Sequence, residues 1–301
     1  MAVWAKAATT GSNSRILRGI VSILFVLLSS LPLGLRAAQA DTIDTLKQRK
    51  VIYLGVRADQ PPFSQIGADN VPTGYAVSLC GEIVQTLRDS ENLPDLTVKY
   101  VTVSADSRFD DLAAGRIDLL CEGTTMTLQR MQTFDFTLET WIAGIGLMTR
   151  SDMAIGNIKD LEGHRVGVVG STATEGLVRA SLQRALVTAE VVTFATHNTA
   201  TRALLDKKID AYFGDRDTLA VMRQQSKEAD QLKITEESVS LEPYAMPIRR
   251  GDDRLRVAAN MTLARLYRSG KIQEILRTYF PGAEPSPLLK ALFILQAIPE
   301  I

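Results

Sequence analysis

Arginines and hydroxyl residues recur just past segments that read as strands. Arg57 follows the apolar run Val51–Val56 and precedes the rigid turn Gln60-Pro61-Pro62-Phe63. The stretch CEGTTMTLQR, Cys121–Arg130, places Thr124 and Thr125 beyond a second strand, with Arg130 about one turn further on. GSTATE, Gly170–Glu175, gives Thr172 and Glu175 the spacing of a capping box at the start of a helix. Asp215 follows the strand Ala211–Gly214, and His197 stands just before a helical face. A guanidinium fork grips a carboxylate through parallel N–H bonds, and the backbone N–H groups at a helix start add to an anion site. A carboxylate in turn accepts an ammonium. The set suits a small ligand that carries both charges. Each residue also has an ordinary role: a solvated loop charge at Arg57, caps at Thr127 and Thr172, a partner for Arg216 or Arg202 at Asp215, a surface imidazole at His197.

Other chemistries lack their residues. There is no G-x-S-x-G, no phosphate-binding G-x-x-x-x-G-K, and no H-E-x-x-H. His164 and His197 are the only histidines, which excludes a multi-histidine metal site, so no metal and no cofactor is expected. Lys+Arg and Asp+Glu both number 34, and this balance argues against a nucleic-acid partner.

These residues need a frame of alternating strands and helices, an α/β fold. Val77, Cys80, Ile83, Val84 and Leu87 share one face of a helix over Gly74–Leu87. Leu96–Val103 alternates like a strand, and a short helix bearing Phe109 and Leu112 ends at Gly115 before the strand Ile117–Leu120. A weaker copy follows. VIYLGV at Val51 is echoed by VGVVG at Val166, and LAAGRIDLL at Leu112 by LLDKKIDAY at Leu204. Two echoes in the same order predict two lobes joined near Gly144–Thr149 and Glu242–Ile248. The first lobe then comprises 41–146 plus 245–301 and the second 147–244. Helices over Arg254–Ser269 and Ile272–Tyr279 return to the first lobe, and the apolar tail Pro287–Ile301 packs on it.

The first forty residues carry only Lys6, Arg15, Arg18 and Arg36 as charges, then the apolar run Ile20–Leu28 and Ala38-Gln39-Ala40. This is the pattern of a cleavable export signal, 1–40, cut after Ala40, and it predicts a secreted, periplasmic protein. Cys80 and Cys121 can form one disulfide in an oxidising compartment; two buried thiols are the alternative.

The order hydroxyl-rich loop, Arg, helix, G-x-x-D strand, C-x-x-T-T, Arg and F-x-F-T in SADSRFDDLAAGRIDLLCEGTTMTLQRMQTFDFT, Ser104–Thr137, together with GYAVSLC at Gly74–Cys80, resembles the family-three bacterial extracellular solute-binding proteins. The likeness extends over Leu46–Phe280 and is greatest to their glutamate/aspartate-binding members. It implies a two-lobed periplasmic-binding-protein fold of type II with two hinge crossings. It also implies a monomer that captures an acidic amino acid by lobe closure and delivers it to an ABC transporter permease in the inner membrane. Arg130 and Thr125 are then expected on the α-carboxylate with Thr172, Asp215 on the ammonium, and Arg57, Arg108 and His197 around the side-chain carboxylate. Three family hydroxyls fall at Gly123, Ala105 and Val169 here. The resemblance extends to periplasmic cyclohexadienyl dehydratases, an enzyme alternative for which Glu122 and Glu175 are general-acid candidates by position.

Overall fold

The computed structural model describes residues 41–236 and 240–300. Residues 1–40, where the sequence predicts a cleavable export signal, lie outside the described residues. Among those described, no helix is long and apolar enough to cross a membrane.

Asp41 caps α1 (Thr42–Arg49) by accepting from the Ile43 N–H at 2.8 Å, and Lys50 ends the helix in the left-handed conformation. There follow β1 (Val51–Val56), β2 (Asp59–Gln60), β3 (Ser64–Ile66), β4 (Pro72–Thr73) and α2 (Tyr75–Ser90). Gly74 opens α2 at φ 140°, where a Cβ would stand 2.3 Å from the Phe63 carbonyl oxygen; only glycine fits there. Next come β5 (Thr97–Thr102), α3 (Arg108–Ala113), β6 (Leu119–Cys121) and the long β7 (Phe134–Arg150). The second lobe supplies β8 (Arg165–Val169), α4 (Ala173–Ala185), β9 (Glu190–Phe194), α5 (His197–Leu205), β10 (Ala211–Asp215), α6 (Arg216–Gln225) and β11 (Leu232–Ile234). The chain returns through β12 (Leu241–Arg249) to α7 (Asp253–Ser269), α8 (Lys271–Tyr279) and α9 (Pro287–Leu295).

The first lobe is built on the parallel sheet β5-β1-β6. The second is built on the order β11-β7-β10-β8-β9, in which β8, β9 and β10 run parallel and β7 runs against β10. One strand therefore serves both sheets' surroundings. β7 pairs with β12 from Phe134 to Gly144, and from Ile145 onward it pairs with β10. This change of partner lies inside the segment where the sequence places the first crossing.

The first lobe's core gathers Leu54, Leu79, Ile83, Ile248, Leu263 and Leu276, all with little or no exposure. Burying each such side chain is worth about 1.5–3 kcal/mol before the entropy of ordering it. The tail helix α9 joins this core through Leu289 and Phe293, and Phe293 stacks on Tyr267 with centroids 4.7 Å apart. Cys80 of α2 and Cys121 of β6 are joined by a disulfide, which ties helix to sheet. Behind the hinge, Phe63 meets Tyr75, Trp141, Tyr244 and Phe280 edge-on. The Gln60-Pro61-Pro62-Phe63 turn thus folds over the core, and of its four residues Gln60 alone lines the cleft.

Candidate functional site

Most of the charged and hydroxyl side chains reach the cleft from the ends of their elements. Arg57 leaves the carboxyl end of β1 and Arg108 opens α3. Glu122 to Thr125 follow β6, and Thr125 forms a single bridge to Tyr244 of β12. From the second lobe come Thr172, the N-cap of α4; His197, the first residue of α5; and Asp215, the last of β10. Carboxyl ends of strands and amino ends of helices thus converge, the usual binding edge of α/β sheets.

The lobes enclose a cavity of about 30 Å³ between them. Arg57, Arg108, Thr125, Arg130, Thr172, His197 and Asp215 line it. Thr124 does not: its hydroxyl is buried and donates to Glu122 Oε1 at 2.7 Å, so it steadies a neighbour instead of facing a ligand. Sequence reasoning missed Gln60 and Tyr244, which also line the cavity. The Gln60 amide makes two 2.9 Å bonds with the Gly123 backbone, one to its N–H and one to its carbonyl. At Gly123, a Cβ would fall 2.6 Å from the Tyr244 ring, so Tyr244 excludes the family's serine from this position. Ala105 and Val169 belong to the second lobe's apolar cluster, and neither supplies a hydroxyl.

The arginines come with acids. One oxygen of Asp59 accepts from Arg57 Nε at 3.1 Å and Nη2 at 2.8 Å. Glu122, which the sequence suggests only as a general acid, lies 3.6 Å from Arg57 Nη1 and 2.9 Å from Arg108 Nε. Arg57, Arg108 and Glu122 are all at most 4% exposed. Arg130 donates to the Thr125 carbonyl at 2.7 Å, and the guanidinium carbons of Arg108 and Arg130 each lie 4.7 Å from the Phe109 ring centre, in reach of cation–π attraction. The Thr125 hydroxyl donates to Glu242. Glu175, the other general-acid candidate, is absent from the lining; it accepts the Ser171 N–H and pairs with Arg179.

Electrostatics divide these groups into roles. Burial lowers Arg130 to about 10, and the charge of Arg108 adds to that effect, yet Arg130 stays a cation at neutral pH. Burial raises Asp215 to about 7, while hydrogen bonds from Tyr244 and Gln60 hold it down and Glu242 and Asp217 push it up. Burial lowers His197 to about 4 against the attraction of Asp59, so its ring is neutral at pH 7. Its Nδ1 shares a hydrogen with the Tyr212 hydroxyl at 2.5 Å. At the start of α4, the Thr172 hydroxyl is spent on capping, accepting from the Glu175 N–H at 3.2 Å and donating to the Val169 carbonyl at 2.7 Å. What this helix end presents to the cavity is its first turn, Ala173 and Thr174, a positive dipole end.

A model of the bacterial extracellular solute-binding proteins, family 3, matches residues 52–282. A glutamate/aspartate import solute-binding protein of Salmonella typhimurium is 26% identical over 256 residues, 85% of each chain. The L-cystine-binding protein TcyJ of Escherichia coli is 27% identical over 249 residues, 82% of this chain and 88% of that one. Among solved structures, a mutant of the arginine-binding protein ArgBP from T. maritima superposes with a TM-score of 0.71 at 26% identity, over 79% of this chain and 98% of the other. The strand order, the two lobes and the match across most of the sequence agree: the chain belongs to the family 3 bacterial extracellular solute-binding proteins.

Proposed function

We propose that this protein is the substrate-capturing component of an amino-acid ABC transporter, working outside the inner membrane and closing its two lobes on a free α-amino acid. One observation carries the reading. The Arg130 guanidinium, the first turn of α4 and an opposing acid, Asp215, line one space between the lobes. Arg130 and the helix start take the α-carboxylate, and Asp215 takes the ammonium. The lobes divide as 41–146 with 245–301 against 147–244, a division supported by the switch of β7 from β12 to β10 between Gly144 and Ile145. Closure requires that the ligand touch both lobes and so favour the closed form.

For the side chain, relatives of equal likeness carry names for glutamate/aspartate and for cystine. Arg57 and Arg108 support an acidic ligand; Asp59 and Glu122, which face them, count against it.

Calorimetric titration of the purified protein, unfolded and refolded with its disulfide intact to strip carried ligand, tests the function. Tight one-to-one binding of an amino acid is expected. Silence toward every amino acid, with turnover of prephenate or arogenate, would replace transport with dehydration on the same fold.

A further inference from the structure

The arginines that would receive a ligand's side-chain carboxylate already have carboxylates of their own. Asp59 accepts from two nitrogens of Arg57, and Glu122 lies between the third nitrogen, 3.6 Å away, and Arg108 Nε at 2.9 Å. Charge inside the cleft therefore closes on itself: two cations, Arg57 and Arg108, against two anions, Asp59 and Glu122. What is left is Arg130 and Asp215, one charge of each sign, which match the two ends of a zwitterion. No positive charge remains for a second ligand carboxylate, and Glu242, beside Thr125, adds a further acid.

The unused hydrogen-bonding capacity is specific. Arg108 spends Nη2 on the Ser171 carbonyl at 3.1 Å, and its Nη1 is buried with no acceptor. Glu122 Oε1 takes the Thr124 hydroxyl, while its buried Oε2 lies 3.6 Å from Arg57 Nη1, too far for a hydrogen bond, and accepts none. Both residues line the cavity. A donor and an acceptor thus stand unsatisfied on the same wall, and buried groups left in that state cost free energy that a ligand can recover. A side-chain carboxylate answers Arg108 and is repelled by Glu122. An aliphatic side chain answers neither. A carboxamide or a hydroxyl answers both, because it accepts and donates without charge.

We propose that Glu122 is a specificity-determining residue that stands in for a ligand carboxylate on Arg57 and Arg108, so that the site selects amino acids with an uncharged side chain that both donates and accepts, the carboxamide or hydroxyl class. This rests on the amino-acid-binding reading above. Glu122 sits directly after Cys121 of β6 and lines the cleft.

The test is a calorimetric comparison, at pH 8, of glutamine, asparagine, serine and threonine with glutamate, aspartate, arginine and leucine, on the refolded protein and on Glu122→Gln. At least one carboxamide or hydroxyl amino acid is expected to bind the parent tenfold or more tightly than either acidic one. In Glu122→Gln, the ratio of acidic to neutral affinity should rise at least tenfold, because the new amide donates where the carboxylate repelled. The parent ratio decides the matter even where the variant does not fold. Tighter binding of glutamate, aspartate, arginine or leucine by the parent overturns the role of Glu122 and leaves amino-acid capture intact. No binding of any amino acid overturns both.

Discussion

The carboxylate of Asp59, in the first lobe, accepts the backbone N–H of His197 at 2.9 Å, at the amino end of the second lobe's α5. The same carboxylate holds Arg57 through its other oxygen. A helix amino end favours an anion, so this contact ties the first lobe to the second. It is joined by Arg108 Nη2 on the Ser171 carbonyl at 3.1 Å and by Trp141 Nε1 on Asp217 at 2.9 Å. The closed form thus has bonds of its own, and the ligand needs to add only the difference.

Asp59→Ala should shift the ligand-free protein toward the open form. Small-angle scattering should show a larger radius of gyration, and affinity for the ligand should fall by about tenfold, the usual size of such a coupling. An unchanged radius and affinity would remove Asp59 from closure.

Arg130→Ala should weaken every amino acid alike, by about 100-fold or roughly 3 kcal/mol, because it removes a charge-assisted bond to the group all of them share. Titration across the ligand panel reads this out. Selective loss of one side-chain class would move Arg130 from the α-carboxylate to the side chain.

Ligand affinity should fall as pH drops below 7. The ammonium needs Asp215 ionised, and burial has raised its pKa to about 7. Below that value each pH unit should cost up to about tenfold in affinity. Titrations at pH 8, 7 and 6 check this, and a flat profile would exclude Asp215 as the ammonium's partner.

Two buried groups should oppose each other in the stability of the ligand-free protein. Asp215 keeps its proton in the folded state up to about 7 but loses it near 3.8 when unfolded, so its contribution falls as pH rises between these values. His197 is neutral when folded down to about 4 but charges near 6.5 when unfolded, so its contribution rises with pH over that window. Asp215→Asn should expose the histidine's slope: urea midpoints should climb from pH 4.5 to 6.5 more steeply than in the parent. Parallel profiles would refute the opposition.

Reduction should destabilise the first lobe. The Cys80–Cys121 disulfide closes a separation of 41 residues, and loss of such a constraint is worth about 2–4 kcal/mol. Thermal melts with and without reductant measure it; identical melting temperatures would show the bond to be dispensable.

Local pattern was enough for much of the molecule. β1 spans the predicted Val51–Val56, and α7 starts one residue before the predicted Arg254, because apolar spacing and terminal glycines are written in the sequence itself. The strand predicted over Ile117–Leu120 is instead Leu119–Cys121, shifted because its partner β1, distant in sequence, sets the register at Leu54↔Leu119. Thr124 and Thr125 are adjacent and alike in type, yet only Thr125 lines the cavity: the pairing with Tyr244 from a strand more than a hundred residues on decides which one turns inward.

By itself the sequence determined the alternating elements, the two echoing halves, and the residue types able to hold a carboxylate and an ammonium. It carried Arg57 and Arg108 as free positive charges, because a guanidinium in a sequence shows no partner. Only the tertiary structure decided that Asp59 and Glu122 neutralise them, that His197 is buried and neutral, and that Glu175 turns away. Charge pairing and desolvation depend on distances of a few ångströms between β1, α3 and β6, and those distances exist only once the sheet has formed.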